Sequence, residues 1–271
     1  MSAMIHPKAV VDPCATLGFH VEVGPFAIIG PDVTIGDRTS IESHSVIDGN
    51  VTIGSENVIG PGCVIGAPPQ DLSFSPETTS GVRIGNKNVF REYCTIHRGN
   101  AEGTETVIGH ENFLMVGTHI GHNCAIANKV VIANNCLLAG HVRVDDGAFL
   151  GGASTFHQHM RVGRMVMVQG SSAFGKDLPP FTLAAERNGI FGLNLVGMKR
   201  AQFSPADRTD IKRAFDLLYR SGLNLSQALE QAASTKFGPL GEEFFAFVRE
   251  AKVRGICPYR GKKDREEAAE M

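Results

Sequence analysis

The chain has 271 residues, with 26 Lys+Arg against 28 Asp+Glu and a formal net charge of −2. That balance argues against a general nucleic-acid binder, which needs a basic excess, and no run approaches the ~18 apolar residues of a membrane span. Six cysteines without a CxxC pair argue against a zinc ribbon or a dithiol redox motif.

The first residues, Met1 to Pro7, lack the charged and apolar regions of a secretory signal, so a cytoplasmic protein is expected. From Ile5 onward an aliphatic residue recurs every six positions, through Val11, Leu17 and Val23 to Ile65, and again from Ile84 to Phe174. The position after it is usually Gly or Ala, as at Gly18, Gly24, Gly121 and Ala139. Neither a helix nor an ordinary strand has this period. A chain that turns a corner every six residues does, with the aliphatic inward and the small residue relieving the bend. Three faces close one coil of 18 residues, and stacked coils build a solenoid whose core is a ladder of aliphatic side chains. Cys63, Cys94, Cys124 and Cys136 share the fifth place of their hexads and read as inward packing thiols. The period alone leaves the handedness open.

The register breaks at about 67–83 and 98–107, which read as loops leaving the solenoid, a common place for binding residues. Asp177-Leu178-Pro179-Pro180 ends the repeat, because proline cannot keep donating to the ladder. The expected division is a β-solenoid over 1–190 and a small helical C-terminal domain over 191–271. Ser204-Pro205-Ala206-Asp207 starts a helix, Ile211, Phe215, Leu218 and Tyr219 continue it at helical spacing, and Gly222 stops it. Further helices are expected from Ser226 to Phe237 and from Glu242 to Arg254. The charge-rich stretch Arg260 to Met271 reads as frayed.

Residues 18 apart lie above one another in such a coil. His141 and His159 then share a column with Asn123. The adjacent column holds His122, Gly140 and Gln158, and the next holds Gly121, Ala139 and His157; His119 sits just before this corner. His97 and His157 occupy a place where Gly or Ala is the habit, and broken local rules tend to mark functional sites. Two chemistries suit the cluster. A neutral His can take a proton from a hydroxyl that attacks an acyl carbonyl, with a backbone N–H at Gly140 holding the oxyanion. Alternatively, three imidazoles can hold zinc and activate a water, as in the γ-class carbonic anhydrases.

Gln70-Asp71-Leu72, Thr95-Ile96-His97-Arg98-Gly99, His119-Ile120-Gly121-His122, Ala133-Asn134-Asn135, Leu138-Ala139-Gly140-His141, His157-Gln158, Asp177-Leu178-Pro179-Pro180 and Phe191-Gly192-Leu193-Asn194 occur in order along the chain. Together they resemble the acyl-(acyl-carrier-protein)-UDP-N-acetylglucosamine O-acyltransferases, the family that begins lipid A synthesis, from about Ile5 to about Tyr219. The resemblance implies a mainly β protein: a left-handed parallel β-helix, assembled as a homotrimer with clefts between subunits, without cofactor or resident metal. It implies transfer of a 3-hydroxyacyl chain from acyl carrier protein to the 3-hydroxyl of UDP-N-acetylglucosamine. By the same resemblance His122 is the general base, with Asn123 beside it, and the Gly140 N–H faces the thioester oxygen. His119, His141, His157 and Gln158 line the cleft, Gln70 and Asp71 approach the glucosamine, and Asn194 and Arg200 approach the nucleotide. Gly170 falls where acyl length is limited, and the glycine implies longer chains.

Four positions depart from the family habit: Asn123 replaces an aspartate, Ser73 a lysine, Val196 a glutamate and Ala201 an arginine. They leave room for an amino variant of the UDP-sugar, or another nucleotide sugar, as acceptor. A zinc hydratase and a non-catalytic trimeric scaffold are the readings from other classes. The basic residues Lys199, Arg200, Arg208, Lys212, Arg213 and Arg220 of the C-terminal region suit an acidic carrier protein.

Overall fold

A computed structural model describes residues 2–251 and 253–260. Past Arg260, the stretch expected to fray lies outside the described residues.

Short strands follow one another from Met4–Ile5 to Ala173–Phe174 and, with the later strands Thr182–Ala185 and Gly189–Leu193, stack as three sheets of eleven, nine and eight strands. Every third strand pairs in parallel, with partners 18 residues apart where the repeat is unbroken: Met4 with Glu22, His119 with Leu137. The result is a triangular, left-handed parallel β-helix. Its core is the expected ladder, with Ile29, Ile47, Ile65, Ile96, Ile120 and Leu138 at most 1 % exposed.

The corners have a fixed grammar. Two residues make each turn, and at most corners, though not at Lys8, Cys14 or Asp32, the second adopts a left-handed φ even without glycine, as at His20 (58°), Arg38 (55°), Asn123 (58°) and His159 (66°). Such a residue costs about 1–2 kcal/mol, which the stacked coils must offset. The N–H of the first corner residue meets no backbone acceptor of the ladder. Prolines therefore fit there, at Pro7, Pro13, Pro25, Pro31 and Pro61. At some other corners a side chain of the next coil caps that donor, as Asn86 Oδ1 does for Ser55 and Asp146 Oδ1 for Asn128.

Two excursions leave the solenoid, one between the strands Val64–Ala67 and Gly81–Ile84, the other between Thr95–His97 and Glu105–Ile108. They are tied to each other: the Thr79 N–H donates to Glu102 Oε2 (2.9 Å) and the Gly103 N–H to Thr79 O (2.8 Å). A buried amide ladder runs through the coils they leave. Asn57 Oδ1 accepts from the N–H and Nδ2 of Asn88, and Asn88 Oδ1 accepts likewise from Asn112.

Asp177 closes the repeat. Its carboxylate, 3 % exposed, accepts from the Arg161 N–H (2.8 Å) and Nε (2.9 Å). An antiparallel hairpin, Thr182–Ala185 with Gly189–Leu193, leads to four helices: α1 (Leu195–Arg200), α2 (Pro205–Tyr219), α3 (Leu225–Ser234) and α4 (Pro239–Arg249). The chain then returns to the solenoid end, where Ile256 bridges Asp177 and Tyr259 bridges Ile190. Helix α2 starts where expected, with Ser204 and Asp207 capping each other. Helix α3 stops at Ser234, short of the expected Phe237. Helix α4 runs earlier than the expected 242–254, because Asp210 of α2 accepts from the Gly238 and Gly241 N–H groups (2.8 and 2.7 Å) and so nucleates it from outside.

Candidate active site

His122 and Asn123 are the two residues of one corner, between the strands His119–Ile120 and Ala125–Ile126. Asn123 is pinned at both ends. Its N–H donates to the buried Thr106 hydroxyl (2.8 Å), and its Oδ1 accepts from the Asn100 N–H (3.0 Å). Because a backbone N–H can only donate, that amide atom is oxygen. The same oxygen lies 2.9 Å from His122 Nδ1, so Nδ1 carries the proton and the neutral ring keeps its lone pair on Nε2.

The imidazole lies across Gly140, one coil above. A Cβ built on Gly140 would fall on His122 Nε2 and Cε1, so the ring can occupy this place only over a glycine. Gly140 is a first corner residue, and among the described residues its N–H has no hydrogen-bond acceptor. A lone pair and an unpaired amide donor therefore meet at one spot.

They face a cleft of about 420 Å³ lined by Gln70, His97, His119, His122, Gly140 and Gln158, with Leu137 and Thr155 on the wall above. His119 Nδ1 is 2.8 Å from the Thr95 hydroxyl, and its ring meets that of His97 edge-on at 4.9 Å. Burial lowers both pKa values, that of His97 to about 4. These imidazoles are thus neutral walls rather than cations. Asp71 joins through the first excursion. Its Oδ1 accepts from the Ser73 hydroxyl (2.7 Å) and N–H (2.9 Å), and its Oδ2 from Asn100 Nδ2 (3.3 Å). These bonds, the Ser73 hydroxyl first, hold its carboxyl below the usual range. Ser73, where the family habit is lysine, is spent on Asp71.

The expected column is present, but His141 turns to the other side of the corner. It meets His122 edge-on at 5.1 Å and stacks on His159 at 4.4 Å. Together with Asn123, Arg143, Arg161, Asp177 and Glu250 these two rings line a second cavity of about 330 Å³. Burial, then His159 and His122, lower the His141 pKa. His157 is exposed beside Gln158, with Nδ1 3.3 Å from its carbonyl. Among the described residues no group of three or more His, Cys, Asp or Glu is placed to hold a metal ion.

Three candidates sit at other corners of the prism. Gly170 lies beside Gly152, between the eleven- and nine-stranded sheets. Asn194 caps α1, accepting from the Gly197 N–H (2.9 Å), and donates to Met165 O (2.9 Å), at the corner between the eight- and eleven-stranded sheets. Arg200 ends α1, exposed, with Ala201 as its C-cap and Val196 61 % exposed nearby. Within one chain these three do not converge on His122. Asn100 and Thr106, which orient Asn123, were beyond sequence reasoning; the break at 98–107 is the only signal they left.

A triangular solenoid of hexads, with an imidazole lone pair and a free amide N–H sharing a cleft, defines a bacterial hexapeptide transferase. The family model described as bacterial transferase hexapeptide (six repeats) matches residues 14–49 and 32–67, and the one described as Udp N-acetylglucosamine O-acyltransferase, domain 2, matches 177–257. The chain belongs to the acyl-(acyl-carrier-protein)-UDP-N-acetylglucosamine O-acyltransferase family. A member from Burkholderia lata is 44 % identical over 258 residues, covering 93 % of this chain and 98 % of its own. Among solved structures, the UDP-N-acetylglucosamine acyltransferase of Francisella novicida superposes with a TM-score of 0.90 at 34 % identity, over 96 % of this chain and 98 % of that one. That of Bacteroides fragilis gives 0.88 at 40 % identity, over 93 % and 99 %.

Proposed function

We infer that this protein transfers a 3-hydroxyacyl chain from acyl carrier protein to the 3-hydroxyl of UDP-N-acetylglucosamine, the first step of lipid A synthesis. The observation that carries the chemistry is the His122 ring, its Nε2 free, lying against Gly140, whose N–H has no acceptor among the described residues. Nε2 takes the sugar hydroxyl proton as that oxygen attacks the thioester carbonyl. The Gly140 N–H holds the oxyanion of the tetrahedral intermediate. On collapse the C–S bond breaks, and the imidazolium returns its proton to the departing thiolate. Asp71 and Gln70 address the sugar, with His119 and Gln158 lining the same cleft; His141, expected there, instead lines the neighbouring cavity, and His157 stands exposed outside it.

A homotrimer completes the site in this reading. Outward-pointing strand residues of a solvated sheet are normally polar, yet Val58, Val89, Phe113, Val131, Phe149 and Met167 form one unbroken outer ladder on the eleven-stranded sheet. An apolar stripe of this length is an interface. A neighbour seated there would bring its own Asn194 and Arg200 to the nucleotide, which one chain cannot do alone. The acyl chain runs along the outer ladder Leu137, Thr155 and Ala173 toward Gly170, three coils or about 14 Å above the base. No helix among the described residues is long and apolar enough to cross a membrane, and we place the reaction in the cytoplasm.

The test is mass-spectrometric detection of acylated product, with UDP-N-acetylglucosamine and its 3-amino analogue as acceptors. Hydroxyl acylation by the wild type, reduced by roughly 10²–10⁴ in a folded His122→Ala variant, is the expected result. A folded His122→Ala protein that keeps most of its activity refutes the base assignment, and acylation of the amine alone refutes the acceptor.

A further inference from the structure

Asn100 lies in the second excursion, yet it touches both halves of the site. Its backbone N–H fixes the amide orientation of Asn123, which in turn sets the tautomer of His122. Its side-chain Nδ2 reaches Asp71 Oδ2 in the first excursion. No other described residue hydrogen-bonds both Asp71 and Asn123. We propose that Asn100 is a positioning residue that locks the acceptor-binding carboxylate of Asp71 onto the His122–Asn123 pair, so that the sugar is seated in register with the base. The inference rests on the acyltransferase reading given above.

The backbone supports a rigid rather than a swinging contact. Gly99 sits where a Cβ would strike Thr104, and its N–H donates to Gly81 O (3.2 Å). The Thr104 hydroxyl donates to Ala101 O (2.7 Å), closing the turn that carries Asn100. On the other side Ser73 holds the second oxygen of Asp71. Asp71 therefore has one anchor within its own loop, and Asn100 supplies the anchor that relates the loop to the base. Loss of that second anchor frees the loop while leaving His122, Gly140 and the Asn100 N–H in place. The acceptor should be bound less well and the acyl donor unaffected.

The charged and titratable groups facing Asn100 are Asp71 from the first excursion and His122 from the corner; Glu102 of its own loop is engaged by the Thr79 N–H. Replacing the amide by a carboxylate then sets like charges against each other across about 3 Å.

Steady-state kinetics of wild type, Asn100→Ala and Asn100→Asp test this, with each substrate varied in turn. For Asn100→Ala the KM for UDP-N-acetylglucosamine is expected to rise about ten-fold or more, the usual weight of a hydrogen bond to a charged group, with the KM for acyl carrier protein unchanged. Asn100→Asp should be worse than alanine near pH 8 and recover toward it as the pH falls and the facing carboxyls share a proton. A purely structural role predicts neither the split between substrates nor the pH-dependent recovery. In the double variant Asp71→Ala/Asn100→Ala, the second change should add nothing. An active wild type whose Asn100 variants match it, or raise both KM values together, overturns the inference alone. A wild type that transfers no acyl group to any nucleotide sugar overturns the function beneath it as well.

Discussion

Gly140→Ala isolates the contact between base and oxyanion donor, because it adds one methyl and removes nothing. Gly140 does not sit in the left-handed region, so its backbone accepts alanine. The obstacle is the His122 ring: the new Cβ would lie inside the contact distance of Nε2 and Cε1. Restoring ordinary contact moves the ring by about 1 Å, and a displacement of that size costs about 10²-fold in rate, or about 2.7 kcal/mol of barrier. The loss should fall on kcat, since the lone pair leaves its line to the acceptor hydroxyl while the walls that bind substrate stay put. Stability should suffer little, about 1 kcal/mol at the low end of overpacking penalties, because the half-buried ring can swing outward. Initial rates with saturating acyl carrier protein and nucleotide sugar, alongside a thermal melt, provide the measurement. Gly175→Ala is the companion, as its Cβ would meet nothing nearer than 4.0 Å and should leave rate and melt unchanged. A folded Gly140→Ala enzyme retaining more than about a third of wild-type kcat would show that the ring and the amide do not act as one unit.

Asn123→Asp keeps an oxygen for the Asn100 N–H and for His122 Nδ1 but adds a charge that favours the imidazolium, so the acidic limb of the pH–rate profile should move to higher pH by about one unit; an unmoved limb means residue 123 only orients the ring. His97 is held neutral down to about pH 4 by burial, whereas the unfolded chain protonates it near 6.5, the ordinary value for an imidazole. Unfolded protein binds more protons across that window, so stability should fall as the pH drops through it, by about 2 kcal/mol at pH 5. His97→Gln should flatten this slope in urea titrations at pH 7.5 and 5, and parallel slopes for the two proteins would refute the assignment.

The solenoid was legible because its rule is local: an aliphatic every sixth residue buries itself whatever the rest of the chain does, as Ile120, Ile126 and Ile132 show. The stacking of His141 on His159 followed from counting by 18. Counting fails where excursions intervene. Asn88 lies over Asn57 at a separation of 31 residues and Asn112 over Asn88 at 24. Hence Thr95 under His119, and Asn100 beside Asn123, could not be found by arithmetic. The same distinction separates α2, whose cap is written in its own first turn, from α4, whose cap is Asp210, 28 residues before Gly238.

The Asn57, Asn88 and Asn112 amides have a consequence for how this scaffold can change. The oxygens of Asn57 and Asn88 each accept two donors from the next asparagine, and that of Asn112 accepts the Val130 N–H, so each coil finds its place by matching amides rather than by the length of chain between them. The rungs joined in this way are the ones separated by the two excursions. Alignment of the prism is thereby decoupled from loop length, which makes the segments carrying Asp71 and Asn100 exchangeable parts. Selection on the acceptor can lengthen, shorten or rewrite them while the corner that holds His122 stays in step with its neighbours.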